Sequence, residues 1–446
     1  MAAEISPNGR SILAARSGLG ATLDWLKRPI GSNWERVAAV LAVAVLIAAR
    51  LPNVIVEGRF WAEEGQVYFA AAWRLPWWQA LVYSWTGYVN IAATLVAIVA
   101  SHAPLLQAPH VSNGIALFIQ CIPAMLVVTS RQDWLQPRWV CVTALLLITM
   151  PVATEEVWIS AIESQYHLAL ATAFILSFDA RHTRSPWHAL IVGLAAVSAP
   201  TSWLLLPLFA LRALLDRSRV RAAHAAILVA GLVFELIFHV PNETHPIGTT
   251  PSLWGAIVWT KHVLVPFLGP QWAREPAQEL AAQFTEQGGP LWPLLLVCGA
   301  FAVLLLAAWR QPKRSPLWLL LAAGTMAGGS YLAVLGSRVS LLSFIGANRY
   351  MFAPQVLLAL SLLSLAVVAR AVTVAALAGV VVAWLLIVDA TYYFIPSAPV
   401  FAEGPSWRAE VAAWEKDPDR ALKIWPTRWT MRLSPRRAGS PPSSRP

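Results

Sequence analysis

The stretch AVTVAALAGVVVAWLLIVDAT, residues 371–391, carries a single charged group, Asp389, and that group sits near its end. A run of this length with no charge in its middle matches the ~20 apolar residues that an α-helix needs to cross ~30 Å of hydrocarbon. Comparable runs recur at about 35–51, 88–103, 111–129, 139–152, 165–178, 187–214, 222–239, 291–308, 317–336 and 350–368. Of the 446 residues 57% are hydrophobic and 13% charged, whereas a soluble domain carries ~25% charged residues. The pattern predicts an all-α fold, a polytopic transmembrane helical bundle of about 11–13 spans. The domain bounds follow: a cytoplasmic N-terminal segment at 1–34; a bundle at 35–395 with extracytoplasmic loops 52–87 and 240–290; and a polar, Trp-rich segment at 396–446 ending in a disordered Pro/Ser/Arg tail.

The formal net charge of +10 fits a membrane protein, because Lys and Arg collect in cytoplasmic loops. No basic run is interleaved with RNA-binding motifs, so no nucleic-acid partner is expected. Cys121, Cys141 and Cys298 all lie in apolar runs, with no spacing for a metal or a disulfide. Arg10, Arg16, Lys27, Arg28 and Arg36 precede the first run, which places the N-terminus inside a cytoplasmic (inner) membrane. The basic stretches RALLDRSRVR (211–220) and WRQPKRS (309–315) belong inside, and the acidic-leaning 240–290 outside. RQDWLQPR (131–138) and DARHTRSPWH (179–188) also belong inside, and TEEVWISAIES (154–164) outside. These preferences agree only if 187–214 is a hairpin that turns at AVSAPTSW, where Pro200 breaks the helix. The competing solution is one long crossing there, which leaves TEEVW inside; the charge rule favours the hairpin.

No nucleotide, zinc-protease, hydrolase or dinucleotide motif is present. GTMAGG (324–329) has a G-x-x-x-G spacing, which lets two helices pack closely. The distribution of charge is the informative feature. FWAEEGQVYFAAAWRLPWW (60–78) sets Glu63 and Glu64 among aromatic rings just after the first run. Its apolar face predicts a helix lying flat on the membrane that holds a carboxylate at headgroup depth. At an ordinary pKa near ~4 that carboxylate is ionised and can take a proton from a hydroxyl. GANRYMFAP begins a late span with Asn348, Arg349 and Tyr350, and Arg338 lies just before it; a guanidinium at the interface is a bidentate partner for phosphate. ESQYHLAL (163–170) sets Gln165, Tyr166 and His167 at another span entrance on the same face. No metal ligands are assigned.

Together these stretches resemble the GT-C superfamily of membrane glycosyltransferases, in its bacterial multi-pass branch. FWAEEG resembles the acidic motif of the first extracytoplasmic loop, with Glu64 at the usual Asp position. TGYVNIAATLVAIVA (86–100) is similar to the run that follows it, VSAPTSWLLLPLFALRAL (197–214) to a helical hairpin with a small-residue/Pro turn, and ANRYMFAP to a late span opening on the substrate face. The large soluble domain of the oligosaccharyltransferase branch is missing. The resemblance implies a juxtamembrane helix in the first loop and transfer of a sugar from a polyprenyl-phosphate donor to a lipid-linked or envelope glycan acceptor. It implies Glu64, assisted by Glu63, as base, and Arg349 with Arg338 as phosphate holders. No cofactor is expected; a divalent metal is compatible with the family. The residues themselves also admit a flippase or transporter of lipid-linked saccharides, or a non-enzymatic envelope-assembly protein.

Overall fold

Ser32 opens the first long helix, Asn33–Arg50, with a reciprocal cap: its hydroxyl accepts the Glu35 N–H at 3.1 Å, and the Glu35 carboxylate accepts the Ser32 N–H at 3.1 Å. Val37, Leu41 and Val45 form an exposed stripe at helical spacing, while Val43, Ile47 and Arg50 face inward. The structure, a computed structural model, describes residues 24–85, 87–179, 182–238, 250–286, 289–334, 339–343 and 347–435. Arg338, most of the N-terminal segment and the tail expected to be disordered lie outside the described residues.

The described chain is all-α apart from two short hairpins, Ser84–Trp85 with Tyr88–Val89 and Leu422–Ile424 with Trp429–Met431. Five helices are long and apolar enough to cross a membrane: Ala108–Thr129, Arg219–Phe238, Trp292–Trp309, Arg349–Val368 and Val372–Tyr392. Their outward side chains include Leu236, Leu295, Val303, Val372 and Leu377, each at least two-thirds exposed. Burying such a side chain is worth about 1.5–3 kcal/mol, so this surface belongs in lipid rather than water. The chain is built as a multi-pass membrane protein.

The expected hairpin has its counterpart in a sharp bend: Pro186–Ala196 and Pro200–Leu215 meet at 117°. Other expectations change. The run at 88–103 is helical only over Ile91–Ser101, and that at 139–152 only over Arg138–Thr149. At ~1.5 Å per residue these are about 16–18 Å long, too short to cross alone. The run at 165–178 is a different object from a lipid-facing span. All of Ser164–Ser177 is buried, and it packs against 108–129, 186–196, 315–329 and 349–368. A helix apolar on every side reads the same in sequence whether lipid or protein surrounds it. The carbonyls at its far end are met by buried arginines. Arg212 and Arg221 both donate to the Leu176 carbonyl, and Arg221 also donates to that of Phe178.

Residues 250–286, expected as loop, are helical over Pro251–Trp259 and Val265–Glu286, with a break at Gly269 (φ 78°). Gly324 of GTMAGG does serve close packing: a Cβ there would meet the Phe301 ring of the neighbouring helix at 2.7 Å.

The largest correction concerns the first loop and the C-terminal segment. The helical stretch Glu64–Arg74 does not lie open on a membrane surface, nor does Trp407–Lys416. They cover each other. Phe60, Phe69 and Trp73 pack with Trp407, Val411, Trp414, Ile424 and Met431 in one buried cluster. The backbones also join: Ala62 N–H donates to the Trp425 carbonyl at 2.5 Å, and Trp425 N–H donates to that of Phe60 at 3.1 Å. Gly65 is required at this seam, where a Cβ would meet Ile424 at 2.8 Å and Phe60 at 2.9 Å. The Trp rings of the two segments are the lid of a protein core.

The two segments therefore share one side of the membrane. Cysteines placed at half-buried Glu57 and exposed Glu403 should both react with an impermeant maleimide added to that side. Labelling from opposite sides would contradict the fold.

Candidate functional site

Three segments far apart in sequence meet at one end of the central helix, and they turn through four strained residues. Ala62 (φ 43°) precedes Glu63–Glu64, Ala153 (φ 58°) precedes Glu155–Glu156, Ile159 (φ 54°) precedes Ser160–Glu163, and Ala347 (φ 57°) precedes Asn348–Arg349. The left-handed region costs a residue with a Cβ about 1–2 kcal/mol, more for a β-branched one. Such strain gathers where side chains are aimed for a purpose. Gln120 holds the turn at Ile159: its Oε1 accepts the Ile159 N–H at 2.8 Å, and its Nε2 donates to the carbonyls of Val157 and Ser160.

Glu64 sits in a wide helical turn, Glu64–Phe69, and is buried. Its carboxylate accepts from Ser112 Oγ at 2.5 Å, Ser160 Oγ at 2.9 Å and Trp61 N–H at 3.3 Å. Burial pushes its pKa up, against these hydrogen bonds. This is not the exposed carboxylate of ordinary pKa expected from the sequence; the chain has closed over it, and it ties the first loop to Ala108–Gln120 and to the 160 turn. Glu63, beside it, is half-buried and near enough to Glu163 to act on its charge.

Arg349 opens its helix with Nη1 3.2 Å from Glu156 and 3.6 Å from Glu163. Its side chain keeps 31% of its surface exposed. The guanidinium lies 5.5 Å from the Tyr350 ring, which meets the Tyr166 ring edge-on at 5.6 Å. Gln165 donates to the Tyr88 hydroxyl at 3.4 Å. Expected neighbours therefore do come together: Arg349, Tyr350, Tyr166 and Gln165 share one wall. His167 does not join them. It is sealed between Trp158 and Phe352, with ring centroids 4.6 Å away from each. Asn348 is buried too, its Oδ1 accepting from Lys261 Nζ at 2.5 Å.

Three further ionisable residues complete the cluster; the sequence points to Glu163, the first residue of ESQYHLAL, but not to Lys261 or Arg59. Lys261 also donates to the Ser343 carbonyl at 2.8 Å; burial pushes its pKa down to about 7, against the pull of Glu156. Arg59 donates to the Trp158 carbonyl at 2.7 Å and lies between the Trp61 and Trp425 rings; burial lowers it to about 10, while Glu64, Glu163 and Glu156 oppose the shift. Glu163 caps the central helix and is buried, with Oε2 lacking a hydrogen-bond partner. Lys261 carried a legible signal, a lone cation in an apolar stretch; Arg59 looked like an ordinary loop charge.

Compared with protein-family models, with curated proteins and with solved structures, the chain matches none of them. The site must be read from its own chemistry. Among the described residues no three His, Cys, Asp or Glu groups are grouped to hold a metal ion.

Burial pushes the Glu163 carboxyl well above the ordinary range; Arg349 pulls the other way, and Glu156, Glu63 and Glu64 add to the rise. The folded state thus binds a proton that the unfolded chain has released above pH ~4.5, so the Glu163 contribution to stability falls as pH rises. Glu163→Gln removes that loss. The melting temperature of the variant, measured in one detergent from pH 5 to 9, should gain on wild type as pH rises; a constant gap would contradict the assignment.

Proposed function

We infer that this chain is a GT-C-type membrane glycosyltransferase that uses a polyprenyl-phosphate-linked sugar at the outer face of the cytoplasmic membrane. The supporting observation is the partly exposed Arg349 guanidinium held by Glu156 and Glu163, with half-buried Glu63 near enough to act on the charge of Glu163 and with Tyr350 and Tyr166 beside the guanidinium. A guanidinium in a low-dielectric pocket suits the negative charge that grows on a departing phosphate. Aromatic faces suit a sugar ring, whose C–H groups are apolar and whose hydroxyls seek Gln165 and the tyrosine hydroxyls.

In the proposed reaction the acceptor hydroxyl attacks the anomeric carbon on the face opposite the phosphate. The C1–O(phosphate) bond breaks as the new C1–O bond forms, so the configuration inverts. The acceptor proton passes to Glu63, and the lipid phosphate leaves against Arg349. Glu64 fixes the loop that aims Glu63. Glu156 and Glu163 hold Arg349 in place until the donor phosphate competes for it. A span count of 11–13, with short helices pairing across the bilayer, belongs to the same reading.

A flippase or ion-coupled transporter finds less support. Glu235 and Asp389, the carboxylates on long apolar helices, each accept a loop N–H at 2.9 Å, from Val89 and Val152. They act as anchors for loops rather than as stations along a path.

The test is compositional. Membranes of a deletion strain should lack one sugar on a lipid-linked or surface glycan and accumulate its polyprenyl-phosphate donor. Restoration by the wild-type gene but not by an Arg349→Ala copy would support the reading; an unchanged glycan profile would remove it.

A further inference from the structure

At the opposite end of the central helix lies a second feature, which the proposed reaction does not use. A groove of about 750 Å³ runs between Ala108–Thr129 and Pro186–Ala196. Its length is apolar, from Phe118 through Leu126 and Ile191, and its mouth is basic, formed by Arg131, Arg184 and His182. Among the described lining residues none is acidic, and the carboxylate of Asp179, next to Phe178, acts on Arg212 and Arg221. The nearby Asp133 is turned away to Lys313, and His182 is held by Gln132 Nε2 at 3.0 Å from its Nδ1.

The dimensions match one leaflet. From Phe118 to Thr129 a helix rises ~16 Å at ~1.5 Å per residue, and half of a ~30 Å hydrocarbon core is ~15 Å. The arginines then stand at headgroup depth, where Trp187, 68% exposed, also sits as an interfacial ring would. The groove opens sideways: Phe118 and Leu190 on its walls are 64% and 58% exposed. Its occupant has direct access from the bilayer.

We propose that this groove is a binding site for an anionic glycerophospholipid of the leaflet opposite the candidate site, its acyl chain along the apolar floor and its phosphate between Arg131 and Arg184. Charge complementarity selects this occupant over a zwitterionic lipid, because the cationic mouth has no carboxylate to pair a choline. The site is separate from the Glu63–Arg349 cluster, and its test does not depend on that reading.

The full chain in neutral detergent would be offered an equimolar mixture of dioleoylphosphatidylglycerol and dioleoylphosphatidylcholine, and retained lipid counted by native mass spectrometry. Wild type should retain phosphatidylglycerol preferentially. Arg131→Gln/Arg184→Gln changes only exposed side chains, so it should fold normally while losing about thirtyfold of that preference, at about fivefold per arginine. Ile191→Trp, which fills the floor, should lower retention with both arginines intact. Equal retention of the two lipids by wild type, or an unchanged preference in the double arginine variant, would overturn the proposal.

Discussion

Arg349→Ala is expected to lower sugar transfer about 10²–10³-fold, the usual effect of removing one preorganised donor from a developing negative charge. The side chain is partly exposed, yet both its carboxylate neighbours are largely buried. Removing it takes away the largest charge that favours an ionised Glu163, so that buried carboxyl holds its proton more firmly. Folding should survive on that account. Arg349→Lys supplies a point charge without the planar fork, so it should recover only part of the rate. Arg349→Ala/Glu163→Gln separates stability from chemistry, since it should melt like wild type and remain inactive. Measured with a polyprenyl-phosphate sugar and membrane vesicles, near-wild-type transfer by Arg349→Ala would end the proposed role.

The adjacent glutamates should divide in the same assay. Glu63→Gln keeps shape and removes the proton acceptor, which typically costs 10²–10⁴-fold, with little change in melting. Glu64→Ala should act through the fold. It strands the Ser112 and Ser160 hydroxyls and the Trp61 N–H, and a buried donor without a partner costs about 1–3 kcal/mol. Its signature is a lower melting temperature, with lost activity following from that. A folded but inactive Glu64→Gln beside an active Glu63→Gln would reverse the two roles.

The sequence carried the fold class because lipid imposes a length and a polarity that can be counted. The long helices at 349–368 and 372–392 begin within a residue or two of where their apolar runs begin. It carried less about what surrounds each run. Ser164–Ser177 and Trp292–Trp309 both contain long apolar runs, yet one is enclosed and the other has few buried side chains; the Ser, Gln, His and Thr residues of the first are the trace that enclosure leaves in sequence. At the site, Glu63, Arg349, Tyr166 and Tyr350 were legible as polar or aromatic residues at the mouths of spans. The burial of Glu64 was not, because it depends on Ser112 and Ser160, which are ordinary small residues until the fold brings them within 3 Å. Lys261 was legible as a lone cation in an apolar stretch, but its partners were not: Ser343 and Asn348 lie more than eighty residues downstream.

The seam between Phe60–Ala62 and Trp425 also orders events in time. A ribosome makes the first loop long before it reaches the residues that cover it. Until translation passes Trp425, the aromatic face around Glu63 and Glu64 has no partner. The buried cluster over the first loop therefore closes only once Trp407–Lys416 and the hairpin of Leu422–Ile424 with Trp429–Met431 have been made, and these segments act as its latch.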